Sequence, residues 1–371
     1  MIYADNAATS KLDLDAFESM KPFLLEEYGN ASQPYFFSRK NKKALKEARE
    51  LIASCINASP GEIYFTSCGT ESDNWAIKGT TLLAKKRKGI ITSEIEHHAI
   101  LNSCHMMEKF NNPVKYLPVD KYGKIDVKTL EEVITDNDKI VSIMMANNEI
   151  GTIQDIRSLS EIAHMNGAIF HTDAVQALGH IEVDVEMLGI DLLSGSAHKF
   201  NGPKGIGFLY IRNETEIVRF IDGGSQERGY RAGTENVASI VGMAVALLKN
   251  CESIDSNTTY LKNLEKILLD TLSESEIDYI HNGGEKRIPG NINLSIKNGN
   301  GEQLLHRLDL MGICISTGSA CDGENAKISH VIKAIGVPNE YAKGTIRISL
   351  GHDNTVEEAK EIAEAIIRVM K

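Results

Sequence analysis

A lysine with unusual neighbours stands at position 199. The stretch SGSAHKFNGPKG, residues 194–205, places Lys199 directly after His198 and among glycines and small polar residues. Glycines let a backbone approach a ligand closely without a side-chain clash. A lysine amine held in such a compact segment can form a Schiff base with a carbonyl compound, whereas a solvated loop lysine is the alternative.

Two segments rich in hydroxyl groups predict a binding site for a phosphate. The stretch TSCGTES, residues 66–72, leads into a predicted helix. Free backbone N–H groups at a helix start favour an exposed anion by about 0.3–1 kcal/mol. We expect Gly69 and Thr70 to lie at this helix start, with a plain helix N-cap as the alternative role for Thr70. Ser196 and His198, from the lysine segment, can bind the same phosphate.

Asp173 ends an apolar stretch and is predicted to be desolvated. A buried carboxylate must pair with a cation, or its pKa rises until the group becomes neutral. A protonated pyridine nitrogen is such a cation, and Gln176 follows three residues later, within reach of a ring hydroxyl. A cap on the following helix is the alternative role for Asp173. A phosphate site, a buried carboxylate and a desolvated lysine together indicate pyridoxal 5′-phosphate (PLP) as the cofactor.

Short apolar stretches that alternate with helical patterns must position these side chains. This alternation is typical of an α/β fold, with a mostly parallel sheet covered by helices on both faces. The predicted strands are residues 62–65, 89–93, 139–146, 167–172, 191–196 and 205–211. The first five end in polar residues, and ligands gather at the carboxyl ends of parallel strands. We therefore expect a single site at one edge of the sheet.

The pattern changes in the last third of the chain. There the sequence predicts one helix and three strands, at residues 260–274, 291–296, 312–317 and 345–351. Thr355 and Glu358 predict a capping box at the start of a final amphipathic helix. The chain therefore divides into a large PLP-binding α/β domain and a small α+β domain, predicted at residues 13–250 and at residues 1–12 and 251–371.

The composition is that of a globular protein with a sizeable core. The 371 residues are 42% hydrophobic and 25% charged, with a formal net charge of −11. This charge argues against binding to nucleic acid or to an anionic membrane, since both need a basic surface. No apolar run approaches the length of a membrane span, and the first residues lack the basic and apolar regions of a secretory signal. We therefore expect a cytoplasmic protein.

The cysteines are scattered along the chain and form no CxxC pair. They are Cys55, Cys68, Cys104, Cys251, Cys314 and Cys321. In a reducing compartment this spacing predicts neither a disulfide framework nor a zinc site, and no metal is expected. One of these cysteines can still be a reactive thiol.

Nine motifs spread over nearly the whole chain carry a family resemblance. From residue 3 to about residue 351 they are ADNAATS, FTSCGTESDNWAIKG, EHHAIL, NNEIGTIQDI, HTDAVQALG, SGSAHKFNGPKGIGFLYIR, RAGTENV, STGSAC and RISLG. In order and spacing they resemble the cysteine desulfurases (NifS/IscS-like) of the class V aminotransferase family. The resemblance implies PLP fold-type I architecture, like that of aspartate aminotransferase, and a homodimer. It also implies that L-cysteine is converted to L-alanine, with the sulfur left on an enzyme cysteine as a persulfide.

The resemblance implies a role for each matching residue. Lys199 resembles the Schiff-base lysine, Asp173 the partner of the pyridine nitrogen, and His97 the histidine that stacks on the ring. A helix-capping role is the alternative for His97. Four further residues match the phosphate ligands: Thr70, Ser196, His198 and, from the neighbouring subunit, Thr234. Gln176 and Asn148 match the residues near the ring hydroxyl, and Asn148 is also expected at the substrate. Arg347 resembles the arginine that binds the substrate carboxylate with both arms of its guanidinium.

Cys321, within the GSAC motif, is predicted to be the nucleophile that takes the sulfur. A free thiol is mostly protonated at neutral pH, so a nucleophilic cysteine needs an exposed or electropositive setting. The polar stretch DGENAK after Cys321 suits an exposed tip, and its length resembles the longer-loop group of these enzymes that serve scaffold proteins. Asp322 replaces the usual threonine or small residue and opposes thiolate formation modestly. Cys314, inside an apolar stretch, is interpreted as a core residue.

Two segments near the expected site depart from the family pattern. Residues 30–38, NASQPYFFS, replace the usual NPSSxHxxG, with Tyr35 at the histidine position and Ser38 at the glycine position. In the family this segment borders the active-site entrance, so we expect substrate access or partner docking to differ. Cys68 stands where a glycine or small residue is usual, either as an inert side chain or as a second thiol near the cofactor.

Several functions remain open from the sequence. The leading hypothesis is a PLP-dependent cysteine desulfurase that passes sulfur to an acceptor protein, such as an iron–sulfur scaffold, a tRNA-thiolation protein or another carrier. A selenocysteine lyase or a class V aminotransferase would share Lys199 and Asp173, and Cys321 disfavours only the aminotransferase. A sulfur-relay or assembly subunit with negligible turnover alone is a hypothesis of a different class.

Overall fold

The computed structural model describes residues 1–82, 84, 86, 88–317 and 328–371. The strands in this part of the chain are β1 (Ile2–Tyr3), β2 (Ile63–Thr66), β3 (Gly89–Ser93), β4 (Val114–Leu117), β5 (Asp138–Ser142), β6 (Ile169–Asp173), β7 (Leu192–Ser196), β8 (Gly207–Ile211), β9 (Tyr279–Asn282), β10 (Asn291–Ile296), β11 (Ile313–Cys314) and β12 (Thr345–Ser349). The helices are α1 (Leu14–Leu25), α2 (Arg39–Cys55), α3 (Gly69–Thr81), α4 (His98–Lys109), α5 (Val127–Val133), α6 (Ile156–Met165), α7 (Val237–Glu252), α8 (Ile254–Ser273), α9 (Gly301–Asp309), α10 (His330–Ala334), α11 (Asn339–Ala342) and α12 (Val356–Met370). Of these helices, none is by itself long and apolar enough to cross a membrane, and α7 and α8 meet that length and composition only when taken together across their 71° bend.

Strands β2 to β8 form the central sheet, in the order β2-β8-β7-β6-β5-β3-β4. The strands from β7 to β4 pair in parallel, and β8 runs antiparallel to both of its neighbours, β7 and β2. Because β8 reverses direction between them, β2 points the same way as the parallel strands. The mostly parallel sheet predicted from the sequence is confirmed.

Both faces of the central sheet are covered by helices. Ile90 and Ile140 pack in one apolar cluster with residues of α3 and α4. Their neighbours Ile91 and Val141 pack in another cluster, with residues of α2, α5, α6 and α7. Successive residues of a strand point to opposite faces, and a sheet covered on both sides therefore needs apolar residues at every position. This explains why the strands read as continuous apolar runs in the sequence.

A smaller sheet of three antiparallel strands, in the order β12-β10-β9, belongs to the last third of the chain. Its inner face packs with α8, α9 and α12 around a separate apolar cluster. The predicted capping box is present at the start of α12, where the hydroxyl of Thr355 accepts from the backbone N–H of Glu358 and the carboxylate of Glu358 accepts from the backbone N–H of Thr355. The apolar stripe of α12 is thereby fixed against the small sheet.

The first thirteen residues connect the two apolar clusters. Strand β1 pairs in parallel with β11, and Ile2 and Ala4 pack in the cluster of the small sheet. Further along, the backbone N–H of Ser10 donates to His198 O at 2.8 Å, and that of Asp13 donates to Asn201 O at 2.9 Å. The predicted domain boundaries, at residues 12/13 and 250/251, stay a prediction.

Several elements differ from the sequence prediction. The strand predicted at residues 312–317 shortens to the two residues of β11, and α8 begins at Ile254 rather than at residue 260. The short strands β1, β4 and β9 were not predicted from the sequence. A two-residue strand such as β1 has no periodicity of its own, and only its partner strand fixes it. Cys314, interpreted as a core residue, is only partly buried in β11.

The packing of α12 gives a stability prediction. Ile366 is fully buried against the small sheet, and truncating such a side chain costs about 2–5 kcal/mol. We expect Ile366→Ala to lower the free energy of unfolding by that amount, measured from the urea midpoint. Glu364→Ala, on the exposed side of the same helix, is the matched control and is expected to change it by less than about 0.5 kcal/mol. Equal effects of the two substitutions would contradict the assignment of the apolar stripe.

Candidate active site

A cavity of about 310 Å³ lies at the carboxyl edge of the central sheet. It brings together ten of the residues predicted from the sequence: Gly69, Thr70, His97, Asn148, Asp173, Gln176, Ser196, His198, Lys199 and Arg347. Strands β2, β3, β5, β6 and β7 all end at this edge, and each contributes at least one of these side chains at or after its last residue. The strand ends converge because strands that run in the same direction place their carboxyl ends at the same edge.

The amine of Lys199 is held by the N-terminal segment. Lys199 Nζ donates to Ala7 O at 2.7 Å and to Ala8 O at 2.8 Å. The residue ends a short 3₁₀ turn after β7 and is half-buried. A Cβ on Gly202 would lie 2.7 Å from Ala197 Cβ, so the chain after the lysine can fold back only with a glycine there. This close approach explains the glycine at position 202 of the lysine segment.

The start of α3 forms one end of the cavity. The buried hydroxyl of Ser196 has no hydrogen-bond partner among the described residues, and such an unpaired polar group points to a polar ligand. A Cβ on Gly69 would come within 2.6 Å of Val175 Cγ2, so only a glycine fits this close approach. The N-cap of α3 is Cys68, which corrects the alternative role of N-cap considered for Thr70. Free N–H groups of α3 and the Ser196 hydroxyl make this end suitable for a phosphate.

Asp173 is the last residue of β6 and is buried in the cavity wall. Its Oδ1 accepts from the backbone N–H of Val175 at 2.9 Å, a local bond in a turn rather than a helix cap. Burial raises the pKa of Asp173, although His97, that backbone N–H and Lys199 oppose the shift. A cation placed against this carboxyl would stabilise its ionised form.

A second buried carboxyl, that of Asp73, was missed by the sequence analysis. Asp73 lines the cavity one helical turn after Gly69 on α3. Burial and the neighbouring Asp173 raise the pKa of Asp73 well above its usual value. Asp73 therefore holds its proton more strongly than an exposed aspartate. The signal that could have found it is the four-residue spacing from Gly69, which puts both residues on the same helix face.

A network of buried hydrogen bonds lies behind Asp73. The hydroxyl of Ser194 lies 3.0 Å from His171 Nε2, and His171 Nε2 lies 3.8 Å from Asp73 Oδ1. Ser142 Oγ lies 2.8 Å from His171 Nδ1. Burial lowers the pKa of His171 to about 3, so the ring is neutral. Neutral groups thus surround Asp73 on the side away from the cavity.

His97 both caps a helix and lines the cavity. Its Nδ1 accepts from the backbone N–H of Ala99 at 3.1 Å at the start of α4, so the capping role weighed as an alternative is real. Burial lowers the pKa of His97 despite the opposing effect of Asp173. A neutral imidazole that accepts at Nδ1 carries its proton on Nε2. The capping hydrogen bond therefore fixes the tautomer of the His97 imidazole, which lines the cavity.

Asp73, His97 and Asp173 form a compact cluster, with one possible ligand atom of each within 4.8 Å of the others. Such a cluster favours a cationic group. A metal was not predicted from the sequence, and a protonated ring nitrogen is a cation of the kind that the cluster favours.

Arg347 lies in the middle of β12 and is nearly fully buried. Its guanidinium contacts Asp5 Oδ1 at 2.7 Å through Nη2 and donates to Asn148 O at 3.0 Å through Nη1. Nε has no hydrogen-bond partner among the described residues. Asp5, which the sequence analysis did not select, also lines the cavity. Arg347 thus already binds one carboxylate and keeps a donor for another ligand.

Two predicted site residues are not brought to the cavity. Thr234 is exposed, outside the cavity wall of its own chain. Cys321 and Asp322 lie outside the described residues; the described chain reaches the cavity wall at Ser316 and Thr317. Cys68 does line the cavity.

The altered segment at residues 30–38 supplies none of the cavity-lining residues in the described part of the chain. It carries exposed aromatic side chains instead, those of Tyr35, Phe36 and Phe37. An effect of this segment on substrate access or partner docking stays a prediction.

Comparisons with known proteins decide the family. The family model for aminotransferase class-V matches residues 2–362. The chain belongs to the class V aminotransferase family. It is 47% identical over 372 residues to the cysteine desulfurase IscS of Dictyoglomus turgidum. The alignment covers 100% of this chain and 94% of that protein. The family confirms the predicted PLP cofactor and the predicted class of enzyme.

Solved structures of relatives agree with the fold. A NifS-like protein, 37% identical, superposes with a TM-score of 0.94 over 100% of this chain and 99% of its own. A structure of SspA in complex with cysteine, 35% identical, matches with a TM-score of 0.85 over 95% of this chain and 99% of its own. The α/β fold-type I architecture predicted from the sequence is therefore confirmed.

The raised pKa of Asp73 predicts a pH-dependent stability. An unfolded aspartate loses its proton near pH 4, whereas Asp73 in the folded protein keeps its proton to a higher pH. The contribution of this carboxyl to the free energy of unfolding of the wild type is therefore full below about pH 4 and falls as the pH rises toward the folded-state pKa. Asparagine cannot titrate. We expect Asp73→Asn to gain free energy of unfolding relative to wild type as the pH rises from about 4 toward neutrality, measured by urea unfolding at each pH.

Two further comparisons check this prediction. Asp73→Ala also cannot titrate but removes a buried side chain and leaves a cavity, so its stability should follow the same trend with pH at a lower level. The burial that raises the pKa of Glu96 to about 8 is common to all three proteins, whereas the repulsion between Asp73 and Asp173 is lost in both variants. A difference between Asp73→Asn and wild type that does not change with pH would contradict the raised pKa.

Proposed function

We propose that this protein is a PLP-dependent cysteine desulfurase that converts L-cysteine to L-alanine and passes the sulfur to Cys321 as a persulfide. The observation that carries the proposal is the single cavity in which the amine of Lys199, the buried carboxyl of Asp173, the unpaired hydroxyl of Ser196 and the guanidinium of Arg347 meet. The cysteine desulfurase IscS of Dictyoglomus turgidum, which matches the full chain, supports it.

The residues of the cavity fit PLP. The Lys199 amine would bind the cofactor aldehyde, Asp173 would hold the ring nitrogen, and Gln176 would lie near the ring hydroxyl. The phosphate would be held at the start of α3 by four of the predicted residues: Gly69, Thr70, Ser196 and His198. When bound, PLP supplies an electron-withdrawing ring that weakens bonds at the α-carbon of an attached amino acid.

The protein's own groups then have separate tasks. Arg347 orients the substrate by binding its carboxylate, with Nε as the donor that has no partner among the described residues. Lys199 Nζ, aimed at two carbonyls when the protein is at rest, is the amine that can carry a proton to or from the substrate α-carbon. His97, neutral with its proton on Nε2, can donate a hydrogen bond without adding a charge.

Sulfur transfer requires a nucleophile that is not part of the cavity wall. The thiolate of Cys321 would attack the substrate sulfur; the new S–S bond forms as the Cβ–S bond breaks, and the bonding electron pair stays on the substrate. Protonation of the remaining carbon skeleton gives alanine. The persulfide on Cys321 would then pass to an acceptor protein, either an iron–sulfur scaffold or another sulfur carrier, and the cytoplasmic location stays a prediction.

Substitution of Cys321 tests the sulfur transfer. We expect Cys321→Ser to keep the visible absorption of the bound cofactor and its change on adding L-cysteine, while sulfide release falls by at least about 100-fold because the nucleophile is missing. The measurement combines absorption spectra with assays of alanine, sulfide and protein-bound persulfide.

Cys68→Ser is the matched control, because Cys68 is the described thiol in the cavity wall. This variant is expected to release sulfide at close to the wild-type rate. Normal turnover of L-cysteine by Cys321→Ser would overturn the persulfide role, and loss of release in Cys68→Ser would move that role to the cavity thiol. Activity of Cys321→Ser on selenocysteine alone would favour the lyase hypothesis.

We also propose a homodimer in which Thr234 of one subunit contacts the phosphate in the other. Its support is the position of Thr234, exposed on its own chain, and an open polar groove at the phosphate end of the cavity, lined by Thr70, Asn74 and His98 among others. A site completed across a two-fold interface would exist only in the dimer.

Mixing two inactive variants tests the dimer. If Thr234 acts across the interface, a mixed dimer of Lys199→Ala and Thr234→Ala subunits contains one site with both defects and one intact site. Random mixing should then restore about a quarter of the wild-type activity per total protein, since about half of the dimers are mixed. If Thr234 acts within its own chain, no mixed dimer has an intact site, and an absence of recovery after verified subunit exchange would overturn the proposal.

A further inference from the structure

Asp5 occupies one of the donors with which Arg347 could bind a carboxylate. Arg347 Nη2 donates to Asp5 Oδ1 at 2.7 Å, and Nη1 donates to Asn148 O at 3.0 Å. Nε has no hydrogen-bond partner among the described residues. A guanidinium binds a carboxylate most strongly through two neighbouring donors at once, and Nε and Nη2 are such a pair. Asp5 therefore takes one donor of this pair and leaves the other.

The ion pair between Asp5 and Arg347 belongs to the wall of the active-site cavity. Both residues line the cavity that also receives the amine of Lys199. The side chain of Arg347 is 6% exposed and that of Asp5 is 20% exposed, so water screens charges there only weakly. A second carboxylate bound at Nε would lie beside the carboxylate of Asp5, on the same guanidinium. The repulsion between the two negative charges would raise the free energy of that bound state.

The backbone holds Asp5 in place without help from its side chain. The carbonyl oxygen of Asp5 accepts from the backbone N–H of Ala8 at 3.0 Å. On either side of Asp5, the N–H of Asn6 donates to Ser349 O at 3.1 Å, and the N–H of Ser349 donates to Ala4 O at 2.8 Å. These bonds do not involve the carboxylate. A substitution at position 5 therefore tests the charge of the side chain rather than the path of the chain.

We propose that Asp5 competes with the carboxylate of the substrate for Arg347 and thereby lowers the affinity of the site for α-amino acids. An α-amino acid can bind by sharing the guanidinium with Asp5 or by displacing Asp5 from Nη2, and either way costs free energy. Asp5 acts through Arg347 and is a positioning residue. The inference rests on the proposed function, in which the product L-alanine carries the same carboxylate as L-cysteine and is therefore held less tightly.

Competition and simple support of Arg347 predict opposite effects of removing the charge of Asp5. If Asp5 only oriented the guanidinium, loss of the charge would let Arg347 move and would weaken the binding of a carboxylate. If Asp5 competes, loss of the charge removes the repulsion and strengthens that binding. The sign of the change in affinity therefore distinguishes the two roles.

Binding of L-alanine and of ethylamine to the holoenzyme tests the proposal. Ethylamine is L-alanine without its carboxylate, so its binding makes no use of Arg347. Both dissociation constants are measured from the change in the visible absorption of the bound cofactor, at one pH and one ionic strength. We expect Asp5→Asn to lower the dissociation constant of L-alanine by at least about 5-fold and to change that of ethylamine by less than about 2-fold.

Two further variants complete the experiment. Asp5→Ser removes the same charge with a smaller side chain, and it should also strengthen the binding of L-alanine alone. Asp353→Asn is the matched control. Asp353 is exposed, forms an ion pair with Lys11 at 3.4 Å and is not among the residues that line this cavity. Loss of its charge should leave both dissociation constants unchanged.

Unchanged or weaker binding of L-alanine in both Asp5 variants would overturn the proposal. An equal gain for ethylamine, or the same gain in Asp353→Asn, would overturn it as well, because the effect would not be specific to the carboxylate bound by Arg347. None of these measurements uses Cys321 or the release of sulfide. Normal sulfide release by Cys321→Ser would thus overturn the proposed persulfide role and leave the result for Asp5 standing, and unchanged binding of L-alanine would do the reverse.

Discussion

The cavity depends on a short turn near the N-terminus, residues 5–8, that holds the cationic side chains of Lys199 and Arg347. The carbonyl oxygens of Ala7 and Ala8 accept from the amine of Lys199, and the carboxylate of Asp5 binds the guanidinium of Arg347. Hydrogen bonds to β12 and to the turn after β7 fix this segment at both ends. Lys199 follows the central sheet and Arg347 belongs to the small sheet, so the segment sets the distance between the two cations only when both sheets are in place.

Desolvation explains the balance of charge inside the cavity. Asp73 and Asp173 are both buried, and burial raises the pKa of each. Two carboxylates within 4.8 Å of each other cannot both stay ionised away from water unless a cation joins them. His97 and His171 are held neutral by the same burial and supply no charge. The part of the cavity lined by Asp73 and Asp173 therefore favours a cation, and a protonated ring nitrogen is such a cation.

Sequence patterns determined the parts of this protein that depend on neighbours along the chain. Apolar runs that end in polar residues predicted the central strands and the shared edge where Lys199, Asp173 and Ser196 lie. Adjacent residues encode both a strand and its end, so these positions could be read without knowing any long-range contact. The family resemblance supplied Arg347, whose neighbours in sequence give no sign of a site. Asp73 also has a local pattern, the four-residue spacing from Gly69 that puts both residues on one face of α3.

Other parts were decided only by contacts between residues far apart in the chain. The sequence gives no sign that the carbonyl of Ala7 lies at Lys199 or that Asp5 faces Arg347. Such pairs are brought together when the whole core forms, and neither member has a local pattern that marks it for the other. Burial itself, which shifts the pKa values of the site, is a property of the packed core. The sequence by itself determined which chemical groups stand at the strand ends, and the tertiary structure decided which of them meet and in which protonation state.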